Sequence, residues 1–180
     1  MKALYRYQDL PVSRWRNGGG ETREIISFPP GEAEFAWRAS IATLAADGDF
    51  SLFPGIDRVI TLLNGDPVTL SGAEVQHQLA PHQPWAFAGE LALCARLSGG
   101  RSEDFNMMTR RGAWRAAVEV TSEAQQNEHG VCLVLAGRWL LDGAQLLQQS
   151  EGAWWVDEKS ELTPASAEAS LLFIRLSRVP

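Results

Sequence analysis

Val59-Ile60-Thr61-Leu62-Leu63-Asn64-Gly65 and Val131-Cys132-Leu133-Val134-Leu135-Ala136-Gly137 follow one pattern, an apolar strand closed by a small-residue turn. Asn64-Gly65 and Ala136-Gly137 each separate two apolar runs, as the turn of a β-hairpin does. Each copy continues into a second apolar strand and then an aromatic one: Trp85-Ala86-Phe87 in the first, Trp154-Trp155-Val156 in the second. A repeat of this kind constrains a fold more than single propensities do, and here it implies two similar β units.

The rest of the sequence reads the same way. Short strand-like runs, at 22–28, 35–44, 84–88, 104–109, 113–120, 153–156 and 170–178 among others, are broken by turns such as Pro29-Pro30-Gly31 and Pro54-Gly55. No long stretch keeps a helical period, and residues 145–149 fit either strand or turn. The expected architecture is all-β. Two related halves, 1–110 with most of the polar motifs and 111–180 plainer, would each form a β-barrel or jelly roll, packed as one compact unit. Such forms limit the open strand edges that so many short strands would otherwise expose.

A chain of 180 residues, 45% hydrophobic, can bury a core without disulfides or a structural metal. Its net charge of −6, with no basic blocks, argues against nucleic acid and anionic membranes as partners. Of the 16 basic residues 14 are Arg, the cation suited to planar, two-pronged recognition of carboxylates and to partial burial. Cys94 and Cys132 lie in apolar runs and read as buried free thiols of a reducing compartment. The opening residues carry no secretory signal pattern and no segment approaches a membrane span, so a cytoplasmic protein is expected.

Only three histidines are present, His77, His82 and His129. None forms a His-x-His pair and no cysteine stands near enough to complete a zinc-type cluster, so neither metal nor cofactor is expected. His77 and His82 flank a turn and read as surface residues. There is no Gly-x-Ser-x-Gly elbow and no phosphate-cradling loop. What remains is polar alternation. Arg38 and Ser40 share one face of their strand, with Trp37, Ala39 and Ile41 on the other. Asp104, Asn106, Met108 and Arg110 share a face, as do Thr22 and Glu24. Alternation alone favours a solvated exterior for these faces; turned inward, they would build a polar pocket whose charges need partners or a ligand. The loop Phe50-Ser51-Leu52-Phe53-Pro54-Gly55-Ile56-Asp57-Arg58 ends on an Arg at the mouth of an apolar strand. That Arg is able to grip a carboxylate or to pair with Asp57.

Four ordered motifs in the first two-thirds of the chain resemble the HutD/Ves family. They are Trp15-Arg16-Asn17-Gly18-Gly19-Gly20-Glu21-Thr22-Arg23-Glu24-Ile25, Trp37-Arg38-Ala39-Ser40-Ile41, Phe50 through Arg58, and Asp104-Phe105-Asn106-Met107-Met108-Thr109-Arg110. The Phe53-Pro54-Gly55 step and the acidic, Trp-rich character are similar to the Ves branch. The resemblance implies a bicupin without the usual metal ligands. It associates the HutD branch with histidine utilisation, binding formylglutamate as a governor rather than an enzyme, and the Ves branch with stress responses.

The preferred reading is a regulatory protein that captures a small carboxylate-bearing metabolite. Arg58 would make the main contact, with Arg38, Ser40, Asn106 and Thr22 as further polar groups. Trp15 and Phe53 would form an apolar wall, and Asn17 with its glycines would bring backbone close to the ligand. An alternative is a metal-independent enzyme on a small acid, with Glu24 or Asp104 as general base. A further alternative is a protein-interaction module using some of the seven tryptophans, and a homodimer is compatible with the sequence.

Overall fold

The computed structural model describes all residues, 1–180. Strands dominate, as the alternation requires, and the one short helical turn is Tyr7–Asp9. The chain divides into two compact units: Pro11–Trp114, called here the N-terminal unit, and Met1–Leu10 with Arg115–Pro180, the C-terminal unit.

In the N-terminal unit a six-stranded sheet runs in the order Val12–Arg14, Gly20–Phe28, Trp37–Leu44, Ser102–Arg110, Ile56–Gly65, Trp85–Ala88. A four-stranded sheet runs Gly48–Asp49, Cys94–Leu97, Val68–Ser71, Gln76–Leu79. The apolar faces of the two meet in a core that joins Leu44, Ile60, Leu62 and Phe87 of the larger sheet to Val68, Leu70, Leu79 and Ala95 of the smaller. Burial of this kind contributes about 25 cal/mol per Å² of apolar surface, the main term holding the two sheets together.

The C-terminal unit repeats the plan. Its five-stranded sheet runs Lys2–Arg6, Glu151–Trp155, Gly130–Ala136, Ser170–Arg178, Trp114–Thr121, and its four-stranded sheet runs Gln125–Asn127, Ser160–Pro164, Trp139–Leu141, Gln145–Leu147. Strand for strand, Trp37–Leu44, Ser102–Arg110, Ile56–Gly65 and Trp85–Ala88 match Trp114–Thr121, Ser170–Arg178, Gly130–Ala136 and Glu151–Trp155, and the small sheets match in the same order. The repeat seen in two hairpins therefore runs through eight strands of each unit. The sheets are open, in jelly-roll fashion, rather than closed barrels.

Two details differ from the sequence expectation. The aromatic strands align one residue away from the sequence match. Phe87 stands opposite Arg58 and Trp155 opposite Gly130, so Phe87 and Trp155 are equivalents. The boundary also differs from a division at 110, because the strand Lys2–Arg6 pairs antiparallel with Glu151–Trp155. Tyr5 fixes it there, its hydroxyl donating to the Cys132 carbonyl at 2.7 Å. Gly152 makes the room, since a Cβ at that position would meet the Tyr5 ring at 2.5 Å. Both cysteines are free, but only Cys132 is fully buried; Cys94 is half-buried. Burial pushes the Cys132 thiol up to about 12, which leaves it unreactive at neutral pH.

Candidate functional site

The polar faces of the N-terminal unit turn inward, against the exterior that alternation alone favours. On the strand Trp37–Leu44, Trp37, Ala39 and Ile41 are buried on one side, with Trp37 stacked on Phe28 and edge-on to Trp114. Both sides of this strand are therefore covered, and Arg38 and Ser40 face the interior between the two sheets. Hydrophobic packing of the tryptophan decides the orientation, and the polar residues follow because strand side chains alternate.

That interior is not filled. A cavity of about 570 Å³ opens at one end of it. All eight residues expected to form a ligand site line it: Trp15, Asn17, Thr22, Arg38, Ser40, Phe53, Arg58 and Asn106. Asp104 lines it as well. Glu24, the other candidate base, does not. It follows Thr22 by two residues, but a register shift begins at Glu24, and its carboxylate accepts from Arg38 Nε at 3.0 Å. Arg110, grouped with Asp104 and Asn106 by alternation, instead donates to the Phe35 carbonyl.

Arg58 dominates the site. It is 6% exposed and sits beneath three rings, its guanidinium carbon 4.8 Å from the centroid of Phe87, 5.1 Å from Phe53 and 5.5 Å from Phe50. Aromatic faces favour a cation, yet they do not neutralise it. Its hydrogen bonds are two long ones, Nη1 to the Ser51 carbonyl at 3.2 Å and Nη2 to Asn106 Oδ1 at 3.4 Å; Nε is buried with none. The neighbouring Asp57 offers no ion pair, because it is taken by Arg111 at 2.8 Å. Burial lowers the Arg58 guanidinium to about 10, and it stays charged at neutral pH.

Asp104 is the counterpart, 1% exposed. Asn106 bridges the two, donating from Nδ2 to Asp104 Oδ1 at 2.5 Å while accepting from Arg58. Asp104 Oδ2 is buried without a partner. Desolvation raises this carboxyl to about 7, against the lowering effects of Asn106 and Arg58. The deep end of the cavity thus holds a full cation and a carboxyl that burial pushes toward its neutral form.

The outer wall comes from the Gly-rich segment. Trp15 donates from Nε1 to Thr22 Oγ1 at 2.8 Å, and Asn17 Oδ1 accepts from the Gly19 amide at 2.8 Å. Gly20 is required because a Cβ there would meet the Thr43 carbonyl at 2.3 Å and the Trp15 ring at 2.9 Å. Sequence reasoning did not assign to the site Arg14, Arg16 and Asp49 at the exposed rim, or Phe50 beside Arg58. Phe87 lies on the aromatic strand of the repeat, but the sequence match pairs it with Val156 and not with Trp155, its structural equivalent.

Metal-binding cupins present histidines and a carboxylate to one ion. Here no histidine lines the cavity, and its deep carboxyl stands beside guanidinium groups, a donor set that does not fit a divalent cation. His77 stacks on Trp85 at 4.5 Å and His82 lies at the surface. His129 is buried in the C-terminal unit, near Glu128 and Asp157. There its Nδ1 accepts from the Asp157 amide, and Arg178 binds Asp157 through two hydrogen bonds of 2.6 and 2.9 Å. Arg178 thus already engages both oxygens of the Asp157 carboxylate.

Two open jelly rolls repeated within one chain, the first enclosing a ligand-sized cavity, define a bicupin. Solved structures agree. HutD from Pseudomonas fluorescens, in a formate condition, superposes with a TM-score of 0.87 at 27% identity, with 100% of both chains covered. An oxalate decarboxylase from Lactobacillus farciminis shares the fold at a TM-score of 0.68 and 7% identity, over 98% of this chain and 86% of that one. The HutD family model matches residues 7–173. Protein Ves from Citrobacter koseri is 47% identical over 176 residues, 95% of this chain and 92% of that protein. Protein Ves from Cronobacter sakazakii is 46% identical over 179 residues, 97% and 98%. The chain belongs to the HutD family of bicupins, on the side of its Ves members. No helix in it is long and apolar enough to cross a membrane.

Proposed function

We propose that this protein binds a small carboxylate-bearing metabolite, of the formylglutamate type, in the cavity of the N-terminal unit, and that it serves a regulatory or stress-response role rather than a catalytic one. One observation carries the reading. Arg58 is a buried cation with no ion-pair partner, aimed into a cavity large enough for a small acid. Uncompensated buried charge is costly, and a chain keeps it where a ligand completes the pairing. Ser40, Asn106 and Arg38 supply further donors, and the HutD relative in a formate condition is in keeping with a carboxylate ligand.

Thermal melting with formate, glutamate, formylglutamate, urocanate and an apolar control tests this. An acid at about a hundred times its Kd adds roughly 2.7 kcal/mol, a rise of about 5–10 °C. Arg58→Ala is expected to remove that rise. A flat panel, or a variant that binds as tightly as the parent, overturns the assignment.

One observation favours a second reading as a metal-independent enzyme: Asp104 is a buried carboxyl raised to about 7, near the pKa suited to a general base. Turnover of a bound acid that disappears in Asp104→Asn would establish it. The interaction-module alternative draws less support, since five of the seven tryptophans are buried and Trp15 and Trp85 are half-buried.

A further inference from the structure

We propose that the cavity takes up its anion together with one proton, which is held on Asp104. The inference rests on the carboxylate-binding reading and adds to it a second partner, the proton. Asp104 and Arg58 do not form a direct ion pair; Asn106 stands between them. Arg58 nevertheless favours the ionised form of Asp104 through space, while burial opposes it. An incoming carboxylate neutralises Arg58 and places a second negative charge in the same desolvated space. Two carboxylates that close cannot both stay ionised in a low-dielectric site, so one binds a proton. Asp104 is the group that yields, since its Oδ2 has no hydrogen-bond donor to lose.

The surrounding charges do not offset this. On the strand Trp37–Leu44, Arg38 gives its Nε to Glu24, whose carboxylate offsets part of its charge. On Ser102–Arg110, Glu103 adds negative potential and raises Asp104 further. From the loops, Arg14, Arg16 and Asp49 line the exposed rim, where water screens them. None of the three histidines lines the cavity.

Binding linked to proton uptake weakens as pH rises. Below the apo pKa of Asp104 the proton is already present, and affinity is flat. Above it each ligand must recruit a proton, and Kd rises by up to about tenfold per pH unit until the pKa of the complex is passed.

The test is titration calorimetry of the full chain with sodium formate and with formylglutamate, neither of which titrates near neutrality. Measured in buffers of different ionisation enthalpy at about pH 7.5, the parent should take up between roughly 0.3 and 0.75 proton per ligand, and Kd should rise three- to tenfold from about pH 7 to 8.5. Asp104→Asn keeps an oxygen to accept from Asn106, and should show no proton uptake and a flat Kd. If the variant does not fold, the parent's pH profile alone decides. Binding without proton uptake, or uptake that persists in Asp104→Asn, overturns the proton coupling and leaves the anion site standing. No binding of either acid at any pH overturns both.

Discussion

The two units share eight matched strands and differ at the positions that matter for chemistry. In the N-terminal unit the interior carries Arg58, Asp104 and Asn106, all buried, beside an open cavity. Register places Gly130, Leu171 and Phe173 at the same points of the C-terminal unit. Trp155 lies over Gly130 so closely that a Cβ there would meet its ring at 2.5 Å. Leu171, Phe173 and Trp155 join Trp139, Leu141 and Leu162 in a continuous apolar cluster. One unit fills its interior for stability; the other leaves it polar and unfilled. The fold permits both, so the polar cavity is a property of three or four side chains rather than of the barrel-like frame.

Introducing the site's cation into the filled unit should have the largest effect. Gly130→Arg would drive a side chain into Trp155 and bury an unpaired charge, and loss of folding or a drop of more than about 5 kcal/mol is expected in chemical denaturation. If Gly130→Arg is as stable as the parent, the interior of the C-terminal unit is not closed. The next test compares equivalent positions: Phe173→Ala should cost about 3–5 kcal/mol, Asn106→Ala about 1–2. Equal costs would mean that the two interiors are packed alike.

A pH series sharpens the contrast. The native state keeps a proton on Asp104 up to about pH 7, whereas the unfolded chain releases it near 3.8, the ordinary value for an aspartate. The associated stability is full below about pH 4 and is lost as pH rises to about 7, a decline of roughly 2–4 kcal/mol. Asp104→Asn should remove that slope in urea denaturation and be more stable than the parent at neutral pH; a slope unchanged in the variant would show that another group causes it. The smallest effect is expected from Arg58→Leu, which replaces a buried cation by an apolar side chain. It should raise apo stability by about 1–2 kcal/mol while abolishing ligand-dependent melting shifts. A destabilised Arg58→Leu would mean that the aromatic cage already satisfies the cation.

The site was more legible than its orientation. Arg58, Asn106 and Arg38 stand out because they fall within the ordered motifs that resemble the family, whereas strand period alone favours a solvated exterior for such polar faces. Their inward direction was not legible, since a period of two is blind to which face is covered, and that depends on the stacking of Trp37, Phe28 and Trp114. The repeat was visible in the hairpins, yet its aromatic strands were misaligned by one because Trp154 next to Trp155 gives two equally good matches to Trp85 and Phe87. The partner of Lys2–Arg6 could not be read from so short a run, whose place is fixed by Tyr5 and a glycine about 150 residues away.

That long-range pairing has a consequence for synthesis on the ribosome. Lys2 emerges early and its partner Trp155 comes about 150 residues later, a wait of roughly 8–30 s at 5–20 residues per second. In that interval Pro11–Trp114 holds every strand of its own two sheets and is able to fold, whereas the unit that needs Lys2–Arg6 also needs strands made after Trp114. The leading segment must therefore stay unpaired while the unit that holds the cavity forms. Its Lys2 and Arg6, charged residues on a strand that ends as a sheet edge, are the kind of side chains that keep such a waiting strand from pairing with the wrong chain.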